Sequence, residues 1–119
     1  SLVSHYSFDD GTAGDVDTVG SINNCTLVGG VSTTSGLGGT GGLYFDCVDG
    51  YMQCNSGLTS RICGSSARTI AAWYYILDYG DGGLWQSGAT SDCQMFALRV
   101  SGTDGALRIH NWACDLDVT

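Results

Sequence analysis

The chain predicts an all-β fold: an antiparallel sandwich of two sheets, in one domain over residues 1–119. Three observations carry that expectation. All twelve acidic residues are aspartate, glutamate, lysine and proline are absent, and glycine fills 19 positions; strong helix formers are scarce and turn formers abundant. Valine, isoleucine, threonine, tyrosine, phenylalanine and tryptophan gather in short runs, the residue types that suit a pleated, half-buried surface. Clusters of Gly, Ser, Asp and Asn separate those runs and supply turns.

The first expected strand covers residues 2–8 and the second is Cys25–Val28. Residues 35–42, rich in glycine, read as a loop. Gly36-Leu37-Gly38-Gly39-Thr40-Gly41 formally matches the dinucleotide fingerprint, but that motif needs a helix directly after it to hold a pyrophosphate. A strand at 42–45 follows instead, so the match is dismissed. Leu43 and Phe45 alternate with Tyr44, and Asp46, Asp49 and Gly50 supply turn chemistry before Tyr51–Cys54 resumes the apolar run. Residues 69–77 differ from the rest. Ile70, Ala72, Tyr74 and Ile76 form one face, and Ala71, Trp73, Tyr75 and Leu77 the other. Two apolar faces suit a central strand covered on both sides, or a strand with one face on a partner. Strands at 83–86, 94–100 and 106–112 complete the set.

The last two strands specify a register. A hairpin turning on Ser101-Gly102-Thr103-Asp104-Gly105 that pairs Val100 with Leu107 also pairs Leu98 with Ile109 and Phe96 with Asn111. Continued outward, it sets Met95 against Trp112 and Cys93 against Cys114, and directly opposed Cβ atoms come within disulfide reach. The same register places Arg99 opposite Arg108, a like-charge pair that nearby aspartates would relieve. Closing the loop from Cys54 to Cys63 would contribute about 2–4 kcal/mol, and Cys25–Cys47 remains by elimination. With no C-x-x-C spacing, a zinc ribbon is excluded.

Six cysteines in so short a chain point to three disulfides and an oxidising compartment, extracellular or lumenal. Asn24-Cys25-Thr26 is a glycosylation sequon and agrees with that route. The formal charge is −8, with Arg61, Arg68, Arg99 and Arg108 the only formal cations; such a surface repels phosphate backbones and argues against nucleic acid as a partner. No apolar run reaches the roughly 18 residues of a spanning helix, so no transmembrane segment is expected.

Four segments together resemble the laminin G-like (concanavalin A-like) jelly-roll superfamily. An opening aromatic-x-Phe-Asp is matched by Tyr6-Ser7-Phe8-Asp9. Asp-x-Ser-Gly-x-x-Asn is matched at Asp17, Gly20 and Asn23, with Val19 in place of serine. Leu-x-Phe-Asp-Gly-x-x-Asp-Tyr is matched at Leu43, Phe45, Asp46 and Tyr51, with Cys47 in place of glycine and Asp49-Gly50 where two acids are usual. Thr-Ile-x-Ala-Trp is matched at Thr69, Ile70, Ala72 and Trp73. The resemblance implies a jelly roll whose further strands nothing after Trp112 supplies. A sheet edge left open in that way would contact another chain.

Catalysis has little to work with. Glucanases of similar fold use paired glutamates about 5–5.5 Å apart, and this chain has no glutamate. Asp115 and Asp117 are the only Asp-x-Asp pair near a strand, no Gly-x-Ser-x-Gly occurs, and His5 and His110 lack a partner motif. The expectation is a protein that is not an enzyme. Calcium is the cofactor the residues favour, since Asp9, Asp10, Asp15, Asp17 and Asn23 offer hard oxygen ligands. The resemblance implies a structural calcium near this loop, and Asp10, Asp17 and Asn23 are the chosen ligands; Asx turns are the competing role. Sugar binding, which the resemblance implies most often, uses aromatic platforms. Tyr79, Trp85 and Trp112 are the candidates, with Tyr51 also available, each weighed against ordinary packing. The expected function is a non-catalytic binding or adhesion module for glycan or protein partners. The second expectation is a structural subunit packed within a larger assembly.

Overall fold

The computed structural model describes residues 2–9, 23–55, 58, 67–89, 94–111 and, by backbone, 116–117. The protein is all-β. Its described strands are β1 (Cys25–Val28), β2 (Val31–Ser35), β3 (Gly41–Phe45), β4 (Tyr51–Cys54), β5 (Gly83–Gly88), β6 (Met95–Val100), β7 (Leu107–His110) and β8 (Leu116–Asp117), with a 3-10 turn at Leu37–Gly39. They form three small antiparallel sheets, β1–β4, β2–β3 and β5–β6–β7–β8. The chain divides into two compact units, residues 1–69 and 70–119.

In the first unit the four strands make one long hairpin, interrupted halfway. Strands β2 and β3 pair from Ser35↔Gly41 to Val31↔Phe45, and β1 and β4 continue from Val28↔Tyr51 to Cys25↔Cys54. At the interruption two residues, Gly29 and Gly30, oppose the five residues 46–50. Carboxylates fold the excess inward. One oxygen of Asp46 accepts from the N–H groups of Val48 at 3.0 Å, Gly50 at 3.3 Å and Asp49 at 3.4 Å. Asp49 accepts from the Gly30 N–H at 2.9 Å, and the Asp46 N–H donates to the Gly30 carbonyl at 3.0 Å. Glycine is required opposite: Gly29 has φ +70°, and a Cβ on Gly30 would lie 1.8 Å from an Asp46 oxygen. The aspartates expected to end a hairpin therefore build a pinned bulge inside one.

Two sequence expectations fail in this unit for a shared reason. Residues 2–8 enter no ladder among the described residues; side chains hold them instead. The Asn23 amide donates to the Ser4 hydroxyl at 2.8 Å and the Val3 carbonyl at 3.4 Å, Asp9 accepts from the Gly41 N–H at 2.8 Å, and the Tyr6 and Phe8 rings stack. Strand β2, conversely, was not foreseen. Its sequence Val-Ser-Thr-Thr-Ser has one apolar residue and is exposed along most of its length, so no alternation marks it. Apolar alternation reports a buried face, and neither segment is organised by one.

Among the described residues a disulfide joins Cys25 to Cys54, which overturns both the expected Cys25–Cys47 bond and the expected Cys54–Cys63 bond. The β1–β4 register sets these two cysteines directly opposite each other, and cross-strand geometry outranks short loop length in choosing partners. Cys47 sits exposed in the bulge as a free thiol with φ +62°. Cys63, Cys93 and Cys114 lie outside the described residues, and with them the expected Cys93–Cys114 bond.

In the second unit β6 is flanked by β5 and β7, and Met95, Ala97 and Val100 on it are buried. The β6–β7 register runs Ala97↔His110, Leu98↔Ile109, Arg99↔Arg108 and Val100↔Leu107, as the sequence required. Aspartates relieve the arginine pair: Arg99 meets Asp81 at 2.7 Å, and Arg108 lies 3.8 Å from Asp104. Such exposed pairs contribute little by themselves; here they offset a like-charge contact. The hairpin turn closes through Ser101 and Ala106, while Asp104 accepts from the Ala106 N–H at 3.0 Å. The Ala106 N–H and, after it, the Ser101 hydroxyl hold the Asp104 carboxyl below its usual pKa.

Candidate functional site

Residues 70–77 are the feature that packing leaves unexplained. They enter no ladder among the described residues, so the expected strand at 69–77 is corrected to an unpaired segment. Its side chains nonetheless alternate. Trp73, Tyr75 and Leu77 are 87%, 89% and 68% exposed, against 41%, 43% and 37% for Ile70, Tyr74 and Ile76. A period of two belongs to an extended chain. The segment is thus a ribbon with one face open and the other half covered. Burial on that second face pushes the Tyr74 hydroxyl pKa up. Between Arg68 and Asp78 the ribbon carries no charge. Its backbone N–H and C=O groups are the part a partner strand would read.

The sequence missed Trp73 and Tyr75 as surface residues because aromatics in an apolar run read as core. The available signal was the second apolar face. It says that both sides want cover, without saying whether the cover comes from the same chain.

Of the aromatics chosen from sequence, Tyr79 is exposed and its ring lies over Gly105, where an added Cβ would come within 2.9 Å of it. Trp85 is half-buried and meets Phe96 edge-on, with centroids 5.5 Å apart, which is packing of one sheet face. Trp112 lies outside the described residues, and Tyr51, in β4, is half-exposed.

The calcium candidates divide similarly. Asp10 and Asp17 fall outside the described residues, whereas Asn23 is 1% exposed. Its side-chain nitrogen is committed to Val3 and Ser4, and its backbone carbonyl accepts from the Tyr6 hydroxyl. Its side-chain oxygen is buried and finds no hydrogen-bond donor among the described residues. A carbonyl oxygen left in that state fits a hard cation. No cluster of three or more His, Cys or Asp side chains capable of holding a metal occurs among the described residues. Asn24 of the sequon is exposed beside the disulfide. No helix of the described residues is long and apolar enough to cross a membrane.

Comparison with protein-family models, curated proteins and solved structures returned no match to this chain.

Proposed function

We propose that the protein is a non-catalytic binding and adhesion module of an oxidising compartment, which recognises a partner polypeptide by strand addition along residues 70–77. The observation that carries this reading is the pair Trp73 and Tyr75, almost wholly exposed on an uncharged, extended segment that enters no ladder among the described residues. Main-chain bonds from such an edge provide affinity, and alternate side chains provide selectivity. A sugar site needs polar groups set beside its aromatic platform, and the sequence from Thr69 to Leu77 has only the hydroxyls of Thr69, Tyr74 and Tyr75. The glycan branch of the reading therefore rests on Tyr79 instead. The Cys25–Cys54 disulfide supports the oxidising compartment, and the absence of glutamate supports the non-catalytic part.

The fold we attach to this function is the jelly roll, because the Leu43-to-Tyr51 motif that carries the resemblance is realised as β3, an aspartate-pinned bulge and β4. Calcium belongs to the same proposal: Asn23, with Asp10 and Asp17, would hold the ion, which would fasten the loop through its charge. The second reading, a structural subunit of a larger assembly, draws on the same ribbon, since both of its faces are apolar.

Selection from a random peptide library on the immobilised chain tests the primary reading. Extended apolar peptides should be enriched, and replacing Ala72 by proline, which removes a backbone donor, should abolish their binding. Peptides that bind the Ala72→Pro variant equally well, or none at all, would refute it.

A further inference from the structure

We infer that the second unit holds a binding cleft for a free amino acid with an apolar side chain, on the face of β5–β6–β7 that carries Ala97. This cleft does not depend on residues 70–77. Ala97 of β6 is set directly opposite Gln86 of β5 and His110 of β7, so the three form one rung across the sheet. Opposed side chains share a face, as do residues two apart on one strand, which puts Met95 and Arg99 on this face as well. Trp85, Leu98 and Ile109 stand on the other. The centre of the rung is only a methyl group. A cleft of about 260 Å³ opens there, lined among others by Asp81, Gly83, Gln86 and Arg99, with buried Met95 and Ala97 as its apolar floor.

The cleft carries a fixed charge pair. Gly83 lies opposite Arg99 without a side chain, and a Cβ added to it would meet nothing within 4 Å, so the space there is open. The Val100 N–H donates to the Gly82 carbonyl at 2.9 Å, which holds the chain just before β5 against β6. One nitrogen of Arg99 meets one oxygen of Asp81 at 2.7 Å. That contact uses one arm of a guanidinium with five N–H donors and one of a carboxylate's two oxygens. A second ion pair fits alongside.

The complement of such a dipole is a ligand that carries both charges close together in reverse order, and an α-amino acid does. Its carboxylate meets Arg99, its ammonium meets Asp81, and its side chain lies on Met95 and Ala97; the Gln86 amide bonds either head group. A monoanion would face Asp81 and a monocation Arg99, each repelled at one end. A zwitterion meets no such conflict, and with zero net charge it is not repelled by the −8 of the chain. Volume sets the size class. The cleft falls short of the roughly 300–1,000 Å³ that holds drug-sized ligands, and so suits a single amino acid, not a peptide or an oligosaccharide.

Titration calorimetry of the full chain with L-leucine tests the inference. Leucine should bind at one site per chain. N-acetylleucine, which lacks the ammonium, and leucinamide, which lacks the carboxylate, should each bind about tenfold more weakly or worse. Arg99→Met should weaken leucine by a similar factor, and its fold is protected because the change also relieves the like-charge contact with Arg108. Gly83→Leu should abolish binding by filling the cleft; the backbone at Gly83 is not left-handed and its added Cβ meets open space, so this variant should keep the wild-type urea midpoint. No saturable leucine binding up to about 10 mM, equal binding of leucinamide or N-acetylleucine, glucose bound in place of leucine, or a folded Gly83→Leu variant that binds as the wild type does overturns the inference.

Discussion

Removing the Cys25–Cys54 bond has a cost that can be worked out from its place in the chain. The two cysteines are 29 residues apart in sequence. Opening that loop restores chain entropy to the unfolded state worth about 3.6 kcal/mol at 25 °C. That is a large part of the roughly 5–15 kcal/mol available to a domain of this size. Alanine is the right replacement, because Cys25 is buried and a polar substitute would add its own desolvation. Urea unfolding of Cys25→Ala, Cys54→Ala and the double variant should show each single change costing nearly as much as both together, since either one removes the bond. Cys47→Ser should cost far less. Peptide mapping without reduction should recover Cys25 joined to Cys54, and the register continued from β6–β7 expects Cys93 joined to Cys114. Should Cys47→Ser match Cys25→Ala in cost while Cys54→Ala costs little, Cys47 would be the true partner and the β1–β4 register would be wrong.

Cys47→Gly should stabilise the protein by up to about 1 kcal/mol, because a left-handed residue other than glycine costs roughly 1–2 kcal/mol and glycine's extra chain entropy returns part of that; an unchanged or lower urea midpoint would contradict the φ of +62° at this position. Acid should weaken the fold through Asp46. The N–H of Val48 first, opposed by desolvation and aided further by the N–H groups of Asp49 and Gly50, holds its carboxyl below the ordinary value. The unfolded chain takes up that proton first, so this stability is present above about pH 4 and is lost as pH falls through the folded value. Asp46→Asn should flatten that part of the pH profile of the urea midpoint, and an unaltered profile would exclude the contribution. Millimolar calcium should raise the melting temperature, and Asn23→Ala should remove the rise; indifference of the wild type to calcium and to chelator would exclude the ion.

Much of the fold was legible because strand and turn chemistry is local. The bounds of β1 and β4 follow from short apolar runs between turn residues. The β6–β7 register follows from matching Val100 with Leu107 around a turn whose geometry its own residues specify. Strand β2 was illegible since its exposed serines and threonines carry no periodic signal. The bulge at Gly29 and Gly30 was half legible: Asp46 and Asp49 announced a turn, but their partners lie across the ladder and not along the chain.

For the site, the sequence showed that residues 69–77 are apolar on both faces and uncharged, and no more than that follows from one strand. That β class, those turns and that two-sided ribbon are properties of neighbours in the chain, set by propensity and alternation. Which cysteine meets Cys25, and whether Trp73 faces a core or solvent, depends on surfaces that come from distant segments. Only tertiary packing decides these questions, because burial is a relation between two surfaces and a run of residues supplies one of them.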